Sequence, residues 1–257
     1  MVIRRLINRF RTQDWAALVS ELVIVIVGIF IAIQVDRWWE QQDDLQREQL
    51  YIARLAEDIE RDIEEITYSI DLAAFRLDFA NLLIAASRDP EIARDQPERF
   101  LAAVHQAAFT HTPALSSDTF EELRSTGNLV LLRNGELKAA LFEYYRYDEG
   151  QRQYQSLQLM TEIRHFEFAA KILSVEQHAW VQDNYYVFGP RTVADARYPD
   201  SDMPGVIEAA RRLQNAPDFV AWLPQARGIQ LDLTRTHSDR ARLAEALLEL
   251  LTSNTGP

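Results

Sequence analysis

SELVIVIVGIFIAIQVDRWWE, residues 20–40, is the stretch on which the reading of the whole chain turns. From Ala16 to Val35 the clearly polar members are Ser20, Glu21 and Gln34. At about 1.5 Å rise per residue, a helix of that length covers about 30 Å, the thickness of a bilayer's hydrocarbon core. Trp15 precedes the run and Trp38–Trp39 follow it, as interfacial aromatic belts do. Before it stand Arg4, Arg5, Arg9 and Arg11 with the single acid Asp14. After it, Asp36, Glu40, Asp43, Asp44 and Glu48 face only Arg37 and Arg47. The positive-inside bias therefore predicts an N-terminus in the cytoplasm and an extracytoplasmic remainder. A cleaved signal peptide needs a small-residue site after the apolar run, and Ile33 to Trp38 carry no A-x-A pattern. The expectation is one uncleaved anchor at 15–39, a basic cytoplasmic tail at 1–14 and an extracytoplasmic domain at 40–257.

Helical projection sorts the polar residues of the anchor. At about 100° per residue, Gly28 and Ala32 each lie about 20° from Glu21, on opposite sides of it. Gly28-x-x-x-Ala32 is a small-xxx-small pair, the spacing that lets two membrane helices approach closely. A carboxylate in a membrane span usually faces protein or water. Glu21, Gly28 and Ala32 thus form a candidate contact face for a second copy or a membrane partner. The bland alternative is that Glu21 snorkels to the nearby interface. Gln34 belongs to the same polar set but lies about 140° round from Glu21, near the outer interface.

Composition bounds the rest. The chain has 257 residues and 47% hydrophobic content, enough for a packed core. Only 8 Gly and 9 Pro favour helix. A net charge of −12 argues against nucleic-acid partners, whose phosphates need a basic face. The absence of cysteine removes disulfides, thiolate catalysis and Cys-based metal sites.

Ser20-Glu21, the aliphatic run, Gly28-Ile29-Phe30-Ile31-Ala32-Ile33-Gln34 and Trp38-Trp39-Glu40 resemble the N-terminal signature of a domain-of-unknown-function family of bacterial single-pass membrane proteins. A second likeness runs from Thr119-Phe120-Glu121-Glu122-Leu123-Arg124-Ser125-Thr126-Gly127-Asn128-Leu129 through Leu132 to Leu137 and on to Tyr144-Tyr145. The chain departs from the family pattern at Ser20 and at Asp36-Arg37, where the family has glycine and amides. The resemblance implies a bacterial cytoplasmic (inner) membrane and a single-pass topology; it implies no activity.

Beyond the membrane, Ile52, Ala56, Ile59, Ile63, Ile66, Ile70, Ala73 and Leu77 form a heptad seam, either a coiled coil or the inner face of an intramolecular helical bundle. The bundle is preferred, because later helices offer matching faces. Pro97 suits the first turn of a short helix. Asp118 with Glu121 reads as a capping box, Gly127 as the residue after a helix end, and Asn134 as the cap of a long helix running towards Asp183. Ile163, Phe166, Ala170 and Leu173 are expected to face the core. Residues 186–205, with three prolines and two glycines, read as a long irregular loop. A short helix near Val206–Gln214 and a long one from Pro217 to about Leu251, kinked near Pro224, complete the all-α expectation.

Catalytic signatures are missing. Glu162-x-x-His165 has the spacing of a di-iron ligand pair, but such a centre needs it twice with two further glutamates. There is no H-E-x-x-H, G-x-S-x-G or phosphate-cradling loop. Arg124, Ser125, Thr126, Gly127 and Asn128, with Arg133, form a candidate anion or ligand turn; the competing reading is a helix corner. Phe142, Tyr144 and Tyr145 form a candidate aromatic cluster, read first as core and rim.

The expectation is a membrane-anchored interaction, accessory or sensor-like module. It uses no cofactor, metal or catalytic residue, and its partners are the lipid bilayer and either a second copy or a membrane protein. Two rivals are a membrane-surface enzyme with an unfamiliar acid/base site and an oligomeric channel component. The separation of Glu21 and Gln34 round the helix counts against the channel.

Overall fold

The computed structural model describes residues 15–152, 155–185, 199 and 203–254. Among them the regular structure is helical: α1 (Trp15–Ala86), α2 (Ile92–Asp95), α3 (Pro97–Gln106), α4 (Asp118–Ser125), a 3-10 turn at Asn128–Val130, α5 (Gly135–Arg152), α6 (Gln155–Ile172), α7 (Val175–Tyr185), α8 (Met203–Gln214) and α9 (Pro217–Ser253). The chain divides into two compact units, Met1–Tyr51 and Ile52–Pro257, and α1 contributes to both. The expected basic tail at 1–14 lies outside the described residues, as does most of the expected loop at 186–205. At the end of that loop, Met203, Pro204 and Gly205 are already helical, the proline falling in a first turn where its missing N–H costs nothing.

In the first unit α1 is the one described helix long and apolar enough to cross a membrane. Its apolar side chains are exposed on every face, Ile24 at 71% and Phe30 at 61% among them. A helix of this length, apolar all round, could cross a membrane. Trp38 and Trp39 pack edge to face at its far end, with ring centroids 5.2 Å apart.

In the second unit α1 is a core element, with a seam different from the expected one. Ile52, Leu55, Ile59, Asp62, Ile66, Ser69, Ala73, Arg76, Ala80 and Leu83 are all buried, stepping by three and four. Ala56, Ile63, Ile70 and Leu77 are only half-buried. Counting apolar residues misplaced half the seam because Asp62, Ser69 and Arg76 occupy inner positions. α9 repeats the pattern, with Leu223, Ala226, Gln230, Leu233, His237, Arg240, Ala244, Leu247 and Leu251 buried. Both long helices thus carry heptad seams interrupted by polar groups.

The main apolar core gathers Phe79 and Leu83 of α1, Phe100 and Leu101 of α3, Ile172 of α6, Val181 of α7, Leu213 of α8 and Phe219 of α9. Each such side chain, fully buried, contributes about 1.5–3 kcal/mol. α3 is buried on all sides from Phe100 to Gln106, and its alanines let neighbouring backbones come close.

Several local expectations need correction. Of the one helix expected from Glu136 towards Asp183, α5 and α6 are described on either side of residues 153–154, which lie outside the described residues, and α6 ends at Ile172 before α7 restarts at Val175. The cause is a reciprocal cap: Gln177 N–H donates to Ser174 Oγ (3.2 Å) while Ser174 N–H donates to Gln177 Oε1 (2.9 Å). Asp118 is no cap, because it is already the first residue of α4; Ser117 precedes it without a side-chain bond, and Glu121 pairs with Arg124. The core face of α6 is His165, Ala169 and Ile172, with Leu173 buried just beyond its end as expected, while Ala170 is exposed, as are Ile163 (51%) and Phe166 (37%). Rotation follows from two partners on α9: Trp222 Nε1–H donates to His165 Nδ1 (3.2 Å), and Phe168 stacks flat on Phe219 at 5.0 Å. Asn134 caps α5 as expected, its Oδ1 accepting from Glu136 N (2.8 Å) and Leu137 N (3.2 Å). Pro97 stands in the first turn of α3, and Pro224 lies inside α9.

Candidate functional site

The non-helical segment from Ala107 to Ser117 has backbone groups that no helix satisfies, yet Ala107, Ala108 and Pro113 are buried. Buried backbone must find partners, and here polar side chains from three helices supply them. Gln230 of α9 donates through Nε2 to the carbonyls of Ala107 (3.1 Å) and Phe109 (2.8 Å). Glu162 of α6 accepts from the Thr110 N–H (2.6 Å) and hydroxyl (2.5 Å). On α1, Glu65 meets His111 Nε2 at 3.0 Å and Asp62 accepts the Ser116 N–H at 2.7 Å. The interrupted seams are therefore the sockets of a threaded strap.

Asp62 accepts a second bond, from the Tyr144 hydroxyl at 2.8 Å, in the interior. Burial and the Asp62 carboxylate push the Tyr144 hydroxyl far above its ordinary value, so it stays protonated and donates. The Arg240 guanidinium lies 5.7 Å from the Tyr147 ring, and the Tyr147 hydroxyl donates to the Thr236 carbonyl (3.3 Å). His237 is buried beside Arg240 and His111; desolvation first, then the Arg240 charge, lowers it to about 4.

Further along the strap, Phe109 collects side chains from three elements. The Arg76 guanidinium carbon is 5.9 Å from its ring centroid, the His105 ring 5.4 Å and the Phe166 ring 4.9 Å. His178 stands edge-on to His105 at 5.7 Å. Desolvation lowers His105 to about 4, with His178 adding to it, and lowers His165 to about 3. Both are neutral imidazoles inside the protein. Arg76 is lowered to about 10 by burial, partly offset by Glu162, and remains a cation. Glu162 and His165 are committed to different partners, Thr110 and Trp222, and so do not act as a ligand pair. Among the described residues no three His, Asp or Glu side chains are placed to hold a metal ion.

The sequence candidates fall in three places. Glu21, Gly28, Ala32 and Gln34 are all exposed on the apolar part of α1, and a methyl group added at Gly28 would meet nothing within 4 Å. In the turn after α4, the Ser125 and Thr126 hydroxyls bond the Glu122 carbonyl (3.3 and 2.6 Å), and Arg124 pairs with Glu121 at 2.7 Å. Gly127 has φ +76°, and Asn128 opens the 3-10 turn. Arg133 is exposed nearby. The polar groups of this corner are thus spent largely on its own helix. Phe142 and Tyr145 both pack on Phe120, the first edge-on at 5.4 Å and the second stacked at 4.3 Å. Tyr144 stands edge-on to Tyr145 at 5.2 Å and reaches Asp62 with its hydroxyl. Asp62, Arg76, Gln230 and His237 carry no site motif in the sequence, and Phe120 stands there only within the likeness that begins at Thr119. The available signal was a polar residue every seventh position, Asp62, Ser69 and Arg76, inside an otherwise apolar seam.

Compared with protein-family models, curated proteins and solved structures, the chain matches none.

Proposed function

We propose that this chain is a membrane-anchored helical module that acts by association, as an accessory or sensor-like component, and not as an enzyme. The observation that carries the reading is the continuity of α1. One 72-residue helix, Trp15–Ala86, is bare and apolar in its first part and, in its second, holds the polar sockets of the strap. A change in how the core grips α1 has a covalent, helical route to the membrane segment. In this reading the domain is an extracytoplasmic bundle, anchored in a bacterial inner membrane with its basic tail inside. The arginines before the span and the acids after it support that orientation. The output passes to a second copy or a membrane partner along the Glu21–Gly28–Ala32 face. The resemblance of the N-terminal stretch to single-pass membrane proteins is in keeping with the same topology.

Single-cysteine cross-linking in membranes tests the proposal, with no native cysteine to interfere. Ala32→Cys lies on the contact face and Gln34→Cys lies about 160° away at nearly the same depth. Cross-linking, to a second copy or to a partner, is expected at position 32 well above position 34, and Gly28→Leu or Glu21→Leu lowers it. Equal cross-linking at both positions, unchanged by Gly28→Leu, would count against the face.

A further inference from the structure

α6 carries two apolar faces. His165, Ala169 and Ile172 are buried in the core, while Leu159, Ile163, Phe166 and Ala170 step by four, three and four along a second face, and all are exposed. Leu159 is 57% exposed, and Met160 beside it 68%. Other exposed apolar side chains of the second unit, such as Val130 and Phe142, lie singly on other elements. The α6 face is instead a stripe several turns long, and a patch of that kind marks an interaction surface.

The strap fixes the direction of this stripe. Thr110 and Thr112 bond Glu162 and then Gln158 of α6, while His111 and Ser116 bond Glu65 and then Asp62 of α1. Numbering falls along both helices as it rises along the strap, so α6 runs parallel to this part of α1. α1 is one helix from its apolar run to these residues. Two copies inserted side by side in a membrane therefore carry their α6 helices in the same sense. The spacing puts Leu159 and Phe166 at d and Ile163 and Ala170 at a of a heptad, and Leu at d with Ile at a favours two parallel strands. At about 200 Å² for a free large side chain, Leu159, Met160, Ile163 and Phe166 leave roughly 400 Å² uncovered per copy, about half of what one side of a stand-alone interface buries. Such a face is too small to capture a partner from solution and sufficient between chains that a shared membrane already concentrates.

We propose that this face of α6 receives the same face of a second copy, as a parallel two-stranded contact between membrane-anchored chains. In that pairing Glu167 stands at e, opposite Glu162 of the other copy at g. The like charges keep the contact weak, so that it forms where the membrane holds two chains together. Glu162 also accepts from Thr110, so the contact borders directly on the strap. The proposal rests on the membrane-anchored reading and names the second copy as its partner, at a surface separate from the Glu21–Gly28–Ala32 face.

The test is disulfide cross-linking of the full chain in membranes, with Ala170→Cys as the reporter and Arg235→Cys, exposed on α9, as the control. Dimer formation at position 170 is expected to run about tenfold or more faster than at 235. Adding Ile163→Asp brings position 170 down to the control rate, a loss of about tenfold or more for one apolar seam residue. Adding Glu167→Lys raises it, by setting a cation against Glu162 of the other copy. Should Ile163→Asp fail to fold, Leu159→Asp takes its place. Dimer formation at 170 no faster than at 235 would overturn the proposal. An adduct of another mass, marking a different protein, would do the same, as would shielding of position 170 from a water-soluble maleimide without a dimer, marking lipid. Ala32→Cys in the same membranes separates the two readings. Cross-linking at 32 and none at 170 removes the α6 contact alone, the reverse removes the span contact alone, and none at either position removes both.

Discussion

The Tyr144 hydroxyl donates a 2.8 Å hydrogen bond to the Asp62 carboxylate, joining residues 82 positions apart in the protein interior. The same carboxylate takes the Ser116 N–H, so one side chain of α1 holds both α5 and the strap. Tyr144→Phe removes a donor to a buried charge and is expected to destabilise the domain by about 1.5–3 kcal/mol. Asp62→Ala strips the partner from a tyrosine and a backbone amide together and is expected to cost more. Urea denaturation of both variants checks the order; a silent Tyr144→Phe would show that the bond carries no weight.

Acid should weaken the fold well before its carboxylates are protonated. His105 and His237 titrate near 4 and His165 near 3, all below the ordinary imidazole value of 6.5, with burial the leading cause. These groups are neutral when folded and bind protons when unfolded, so stability falls as pH drops below 6.5 and goes on falling to about 4. Melting temperature measured from pH 7.5 to 4 is expected to decline across that window, and His237→Gln to flatten the decline. A flat profile between 6.5 and 4 would contradict neutral burial.

Gly127 is the one described glycine with positive φ, at +76°, and a Cβ there meets open space. The cost of Gly127→Ala is therefore conformational and not steric, about 1–2 kcal/mol. Gly127→Asn, which tolerates the left-handed region, is expected to lose less. Equal losses for Ala and Asn would point to some other demand at this corner.

Ser174→Ala removes the hydroxyl that receives the Gln177 N–H at the start of α7. The expected cost is about 1 kcal/mol, with faster amide exchange confined to the first turn of α7. Protection unchanged there would mean that packing, not the cap, starts the helix.

Much of the architecture was legible in the chain, because helix signals are local. Asn134 before Gly135, Pro97 in a first turn and Gly127 after α4 act within a few residues of themselves, and the structure places them as read. The long apolar helix at the start of α1 was legible because its apolar run is long. What stayed hidden depends on partners far along the chain. Asp62, Arg76 and Gln230 look like surface residues until Tyr144, Phe109 and the strap are brought to them. His165 turned α6 inward by a bond to Trp222, and Ile163 and Phe166, more apolar, were left outside. The break between α6 and α7 was written in Ser174-x-x-Gln177, a local signal that the surrounding helical periodicity masked.

We propose that the chain works in company, through the apolar part of α1. Native mass measurement of the intact 29.7 kDa chain, released from membranes in mild detergent, tests this most directly. The expected mass is a multiple of the chain's own, or that of the chain together with a co-extracted membrane protein, shifting towards the single chain with Gly28→Leu. A strictly monomeric, partner-free species under the mildest extraction would contradict it.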